Sequence, residues 1–197
     1  MGRVSRGRST QSLGPAKPMS SFAQLEIRAA RSSDALCLGA LATQVFLDTY
    51  ATSGIDADLA NEAKEHYSEE AFARRLSSSE VEIVVAEIEG KLVGFIDVQR
   101  NSICPVSSVA GPEVLRLYVQ GPFQRRGLGQ ALLRHAEHRA QARSAEAIWL
   151  TAWVGNTRAA VFYPQAGYNR VGTMEYIISG NAYENHVFAK RLPVSGA

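Results

Sequence analysis

The sequence predicts an α/β fold of the α+β kind, a mixed, mostly antiparallel, twisted sheet of about seven strands with helices on both faces. Three observations predict it. Short apolar runs rich in β-branched and aromatic residues recur along the chain, among them VEIVV, EVLRLYV and AIWLTAW. Segments with apolar residues at helical spacing separate these runs, so strands and helices interleave. Some strands meet across short turns and pair antiparallel, while others feed straight into a helix. The element order read from the sequence is βααβββαβαββ.

Residues 1–22 are read as a disordered tail. They are rich in Ser, Arg, Gly and Pro and nearly free of large apolar side chains, so they cannot offset the entropy of ordering themselves. An acid-free start rich in Arg and Ser also fits an organelle transit peptide, but the amphipathic helical pattern of such peptides is missing, and Met19 offers a second start. A single domain is expected over 23–193. It opens with a strand around Leu25 to Arg28, then a helix capped by Ser33 or Asp34 with Leu36, Leu38, Leu41, Val45 and Phe46 on one apolar stripe. Ser53-Gly54 breaks the chain before one or two short helices that end ahead of SSSE. Two apolar strands then flank Glu89-Gly90, a hairpin turn.

A loop containing Pro105, Gly111 and Pro112 leads to the strand EVLRLYV, which enters a long amphipathic helix through the glycines of QRRGLGQALLRHAEHRAQAR. AIWLTAW is the next strand. Asn156 or Thr157 caps a helix in TRAAVFYPQAG, and YNRVGTMEYII with ENHVFAKRL closes the sheet as a final pair.

Composition removes several classes of function. At 197 residues the chain can bury a full core without metals or disulfides. No run approaches the roughly 18 apolar residues that a membrane helix needs, so no membrane span is expected. Cys37 and Cys104 are too few for a disulfide scaffold and lack zinc-site spacing, which fits reduced thiols in a cytoplasmic protein. The net charge is +2, but Arg3, Arg6, Arg8 and Lys17 all precede the first acid, Glu26. Without them the body is about two units negative, and no nucleic-acid partner is expected. His135 and His138 share a helix without the spacing of four that helical metal pairs use, and no metal is predicted.

The chemistry concentrates at QRRGLG, where a strand gives way to a helix. A helix start leaves N–H groups without partners and carries positive potential, so it favours an anion. Gly127 and Gly129 let the main chain come close to that anion, and Arg125 and Arg126 add charge. A basic, glycine-relieved turn in solvent fits the same residues. A Walker loop and a Rossmann fingerprint do not match.

Read as Q/RxxGxG/A, with LRLYV before it and GNTRAAVFYPQAGY after it, this stretch resembles the GNAT superfamily of acetyl-CoA-dependent N-acetyltransferases. Within that superfamily FLDTY is similar to the FxDTF of the polyamine-acetylating, PaiA-like branch. EVLRLYV is similar to its ExxRLYV, IWLTAWVGN to its IWLGVWxxN, and AAVFYPQAGY to its AxxFYxxxGF. The end of the chain departs from that branch: Asn185 and His186 stand where it is more acidic, and one residue is added before Gly180.

The resemblance implies the GNAT acyl-CoA N-acyltransferase fold, with acetyl-CoA as co-substrate. It implies acetyl transfer to a primary amine (polyamine, other small amine, amino acid or peptide N-terminus) by direct attack in a ternary complex. It places Leu117, Tyr118 and Val119 along the pantetheine, and Gln124, Arg125, Arg126, Gly127, Leu128, Gly129 and Gln130 around the pyrophosphate. It puts Asn156 and Tyr163 near the thiol, with Tyr163 as general acid. A bulge in the LYV strand is expected to free a main-chain N–H for the acyl oxygen.

Glu113 is the candidate base, because the attacking amine must first lose a proton. Alternation places it on the face of Leu115, Leu117 and Val119. A solvated strand-end glutamate fits the same position. Asp56, Asp58, Glu62, Glu65, Glu69 and Glu70 form an acidic segment that would attract a cationic acceptor, or that serves helix starts locally. Trp153 is expected on the side of the neighbouring helix pair. The expected assembly is a monomer or homodimer. Two other readings stay open: a non-catalytic acyl-CoA-binding regulatory module, and a nucleic-acid binder using a stripe from Arg116 through Arg143.

Overall fold

The computed structural model describes residues 25–107, 109–178 and 180–193. The tail expected over 1–22 lies outside them. The strands are β1 (Leu25–Ala29), β2 (Val81–Ile88), β3 (Lys91–Ile103), β4 (Ala110–Val119), β5 (Ala147–Trp153), β6 (Asn169–Ile178) and β7 (Asn181–Arg191). The helices are α1 (Ala35–Tyr50), α2 (Ala57–His66), α3 (Glu69–Leu76), α4 (Leu128–Ala142) and α5 (Thr157–Gln165). The strands form one seven-stranded sheet in the order β1-β2-β3-β4-β5-β7-β6. Every neighbouring pair is antiparallel except β4 and β5. This is the mixed sheet with helices on both faces that the sequence predicts.

Local chemistry explains most boundaries. Glu89 and Gly90 both take positive φ, 50° and 74°, which matches a two-residue turn to the twist of β2 and β3. Asp56 and Ser68 cap α2 and α3 by accepting from the N–H groups of Leu59 and Ala71. So the segment after Gly54 forms two short helices, not one.

Three expectations shift. A 3-10 turn over Ser32–Asp34 precedes α1, and Asp34 accepts from the Arg31 N–H and from Arg28 instead of capping α1 with its side chain. Leu36, expected on the apolar stripe of α1, is 61% exposed, because the sheet touches only the stripe through Leu38, Leu41, Val45 and Phe46. β4 begins at Ala110, so Gly111 and Pro112 lie inside the strand and not in a loop. A β-carbon on Gly111 would come within 2.3 Å of the Ala147 carbonyl oxygen, the close approach at which β4 meets β5.

Two apolar cores sandwich the sheet. One face, with α4 and α5, buries Val84, Ile96, Val98, Val114, Leu132, Leu133, Ile148 and Leu150. The other, with α1 to α3, buries Leu38, Phe46, Phe72, Ile83, Val85 and Phe95. Cys104, expected in a loop, is buried beside Trp149 and Val187, whereas Cys37 is exposed. Among the described residues no helix is long and apolar enough to cross a membrane, and no group of three or more His, Cys, Asp or Glu is placed to hold a metal.

Candidate active site

β4 and β5 pair only through Glu113 with Trp149 and Val114 with Leu150. Beyond these residues the two strands part, although β4 stays on β3 as far as Val119 and β5 stays on β7 as far as Trp153. The divergence begins at a bulge: Asp97 faces Arg116 and Val98 faces Val114, leaving Leu115 without a partner on β3. An extra residue bends a strand and increases its local twist.

The bulge therefore falls two residues before the LYV stretch in which it was expected. It also resets the alternation. Val114 and Leu117 both pack on the α4–α5 core, so Glu113 stands on the opposite face with Arg116 and Tyr118, not with Leu117 and Val119.

Past the bulge the main chain of β4 acquires a direction. The Gln120 N–H donates to the Val93 carbonyl at 3.0 Å. Hydrogen-bonding alternates along an antiparallel pair, so the amides of Tyr118 and Arg116 also turn toward β3. Those of Leu117 and Val119 turn toward the edge that β5 has left.

At the open end of the gap the chain makes a 3-10 turn over Gly121–Phe123 and then the basic turn. Gln124 Nε2 donates to the Val119 carbonyl at 2.8 Å, and its Oε1 accepts from Arg158 at 3.1 Å, which ties the end of β4 to α5. Arg125 and Gly127 take positive φ, 57° and 81°, and Gly127 caps α4 with no side chain of its own. Left-handed residues next to a helix start gather N–H groups into a concave nest for an anion. Leu128 is buried and presents only its backbone to the turn, while Arg125 and Arg126 are exposed and Gln130 is half-buried. The Arg126 guanidinium lies 5.9 Å from the Phe123 ring.

Asn156 and Tyr163 approach from α5. Asn156 Oδ1 accepts from the Ala159 N–H at 3.1 Å, so the carbonyl end is used in capping and Nδ2 is the end left for a ligand. Tyr163 is buried among Phe162, Tyr168 and Phe188. Burial pushes its phenol well above the ordinary range, and the nearby Tyr50 hydroxyl pushes the same way. It therefore holds its proton at neutral pH.

The opposite wall of the gap joins Trp153, on the side of the helices where it is expected, to residues to which motif reading gave no role. Tyr50 ends α1 and stacks 5.4 Å from Trp153, whose ring folds over Gly155 so closely that a β-carbon there would lie 2.4 Å from it. Tyr67 lies 6.4 Å from Tyr118, and the Arg116 guanidinium sits 5.1 Å from the Tyr67 ring centroid. Tyr176 reaches over from β6, its phenol pushed up by burial first and then by the Glu62 carboxylate. Glu113 is half-buried; desolvation raises its carboxyl, opposed by the Ser102 hydroxyl donating at 2.9 Å.

Beneath this wall, fully buried Asp97 accepts from Arg75 Nε at 2.8 Å, from Arg75 Nη2 at 2.7 Å and from Arg116 at 2.7 Å. Of the six acids in the acidic segment, Asp56 caps a helix, Asp58 accepts from Asn181, and Glu69 and Glu70 occupy the first turn of α3. Glu62, near Tyr176, faces the gap. The stripe from Arg116 through Arg143 is not one surface: Arg116 lies on the α1–α3 face, while Arg139 and Arg143 bind Glu82 from α4.

A strand that parts from its parallel neighbour, a nest of N–H groups at the mouth of the gap and a buried phenol inside it suit a thioester-bearing cofactor with a pyrophosphate. Residues 49–168 match the family model for the acetyltransferase (GNAT) family. The chain belongs to that family. The matched stretch contains β4, the basic turn, α4, β5 and all of α5.

This GNAT chain is 23% identical over 158 residues, 78% of its length and 89% of the relative's, to an uncharacterized N-acetyltransferase in the pepI 3' region of Lactobacillus delbrueckii subsp. lactis. In fold it is similar to the PaiA N-acetyltransferase of Thermoplasma acidophilum, solved in complex with coenzyme A. That match has a TM-score of 0.70 at 22% identity and covers 85% of this chain and 99% of that one. The ribosomal-protein-S18-alanine N-acetyltransferase of Escherichia coli matches with a TM-score of 0.61 at 19% identity, over 88% of this chain and 97% of that one.

Proposed function

We propose that this acetyltransferase moves acetyl from acetyl-CoA to a primary amine by direct attack in a ternary complex, and that it stands near the polyamine-acetylating, PaiA-like branch. The β4–β5 gap carries this reading, with the Leu117 and Val119 amides on one edge and the Gln124–Gln130 turn at its mouth. The branch assignment rests on FLDTY, EVLRLYV, IWLTAWVGN and AAVFYPQAGY, and on likeness in fold to the PaiA N-acetyltransferase.

Acetyl-CoA supplies the thioester. The turn from Gln124 through Gln130 holds its pyrophosphate on backbone N–H groups, with Arg125 and Arg126 adding charge. Leu117, Tyr118 and Val119 run along the pantetheine, and the Leu117 and Val119 amides donate to the carbonyl oxygen as it gains charge. Asn156 offers Nδ2 to the cofactor. The acceptor arrives as an ammonium ion; Glu113, directly or through water, takes one proton so that nitrogen has a lone pair.

As the N–C bond forms and the C–S bond breaks, Tyr163 gives its proton to sulfur. The second amine proton restores Tyr163. Its high position keeps Tyr163 a donor, and the raised Glu113 is a stronger base than a solvated carboxylate.

The test is release of free thiol from acetyl-CoA, with product mass, across polyamines, small amines, amino acids and peptides. Turnover with an acetylated amine product is expected. Thermal stabilisation by acetyl-CoA without turnover would point instead to an acyl-CoA-binding regulatory module.

A further inference from the structure

On the α1–α3 face, beside the candidate base, lies a cavity of about 320 Å³ between α2, α3 and the sheet. Its walls include Glu65, Arg74, Arg75, Gln99 and Arg116. Gln99 is the register partner of Glu113 on β3, so the cavity starts one strand away from the carboxylate that receives the amine's proton. Neighbouring strands are about 4.8 Å apart, so a group one or two strands over is about 5–10 Å from that point.

The charges in this cavity do not balance. Asp97 is the one carboxylate bonded to both Arg75 and Arg116, and it lies beneath them, fully buried. Arg75 spends Nε and Nη2 on it, which leaves Nη1 uncommitted, and Arg116 meets it through one nitrogen only. Arg74, exposed at the rim, forms no ion pair among the described residues. Among the described residues the cavity is lined by three guanidiniums and by the His66 ring, which Glu62 approaches at 3.6 Å, against one lining carboxylate, Glu65, with Asp97 buried beneath. The acceptor side of the gap has the opposite character: Glu62 lies among Tyr50, Tyr67 and Tyr176, and Glu113 stands where β4 and β5 last pair. An acceptor spanning both meets carboxylates at one end and guanidiniums at the other.

We propose that the acceptor carries an anionic group, a carboxylate or phosphate, about 5–10 Å from its reacting amine, and that the Arg74–Arg75–Arg116 cavity binds that group. The proposal rests on the acetyl-transfer reading above and narrows it to zwitterionic acceptors, away from all-cationic polyamines. A second ammonium in the cavity meets like charge; a carboxylate there accepts charge-assisted hydrogen bonds.

The test compares acceptors of matched skeleton. Cadaverine, ε-aminocaproate, lysine and pentylamine share a terminal amine on similar chains and differ in what the far end carries. ε-Aminocaproate and lysine are expected to exceed cadaverine in kcat/KM by about tenfold or more. Arg74→Glu is expected to narrow or reverse that ratio, chiefly through KM, because it reverses the charge at the rim without entering the buried Asp97 network.

Equal or greater use of cadaverine, or turnover confined to acceptors without an anionic group, overturns the proposal and leaves acetyl transfer standing. A preference that Arg74→Glu and Arg75→Gln both leave unchanged also overturns it. Absence of turnover on every amine of the broad panel overturns both.

Discussion

On the α4–α5 face of the sheet the inward side chains of β2 to β5, apart from Glu82 where it meets Arg139 and Arg143, are aliphatic: Val84, Ala86, Val93, Ile96, Val98, Val114, Leu117, Val119, Ile148 and Leu150. On the α1–α3 face the same strands carry Asp97, Arg116, Tyr118 and Trp153, with Tyr50, Tyr67 and Glu62 from the helices. The first face is a stiff support that fixes backbone: the bulge, the two amides turned to the gap and the nest at α4. The second adds to its apolar core of Leu38, Phe46, Ile83 and Val85 a set of polar and aromatic side chains gathered around one buried carboxylate. An acyl donor shared by many reactions can be held by main chain and core, whereas choosing an acceptor needs side chains whose charge and shape differ from one protein to the next.

The largest expected effect breaks the polar face at its centre. Asp97→Ala leaves Arg75 and Arg116 without their shared counterion and should cost about 3–5 kcal/mol of unfolding free energy in a urea titration. A cost below about 1 kcal/mol would show that the arginines relax into solvent and that the network does not organise this face. Tyr163→Phe comes next. It should lower kcat by about a hundredfold while leaving the KM for acetyl-CoA nearly unchanged, and an unaltered kcat removes Tyr163 from the acid role.

Gly127→Ala addresses the backbone side. No atom lies within 4 Å of the added β-carbon, so the penalty is the positive φ of 81° alone, about 1–2 kcal/mol. Acetyl-CoA binding measured by calorimetry should weaken by about tenfold, and unchanged affinity would place the pyrophosphate elsewhere. The smallest effect is the most specific. The Ser102 hydroxyl opposes the burial that raises Glu113, so Ser102→Ala raises that carboxyl further. Glu113 acts as a base only when ionised, so kcat/KM falls as pH drops through its pKa. Ser102→Ala should therefore move the acidic limb to higher pH, and a limb that stays in place removes Glu113 as the group seen in the profile.

The contrast between the faces also explains what the sequence made legible. The succession of strands and helices along the chain, the long helix after QRRGLG and the Asn156 cap all follow from contiguous patterns, because periodicity and capping act over a few neighbouring residues. The nest at Arg125 to Gly127 could be read for the same reason. The bulge at Leu115 could not: it is a mismatch between β4 and β3 and leaves no trace in EVLRLYV itself. Missing it put Glu113 on the wrong face. Tyr50, Tyr67, Asp97 and Tyr176 come from four separate elements, and each alone reads as an ordinary half-buried tyrosine or a strand acid. The one usable signal was the acid of GFIDVQR, an Asp in an otherwise apolar strand that needed a cationic partner.

Acetyl transfer to an amine in the β4–β5 gap is the proposal on which the others depend. Its most direct test is thiol release from acetyl-CoA by the intact protein, with mass analysis of the product, run beside Tyr163→Phe over the amine panel. One thiol released per acetylated amine is expected, with turnover reduced about a hundredfold in the variant. Thiol release without an acetylated amine, or equal turnover by both proteins, would contradict it.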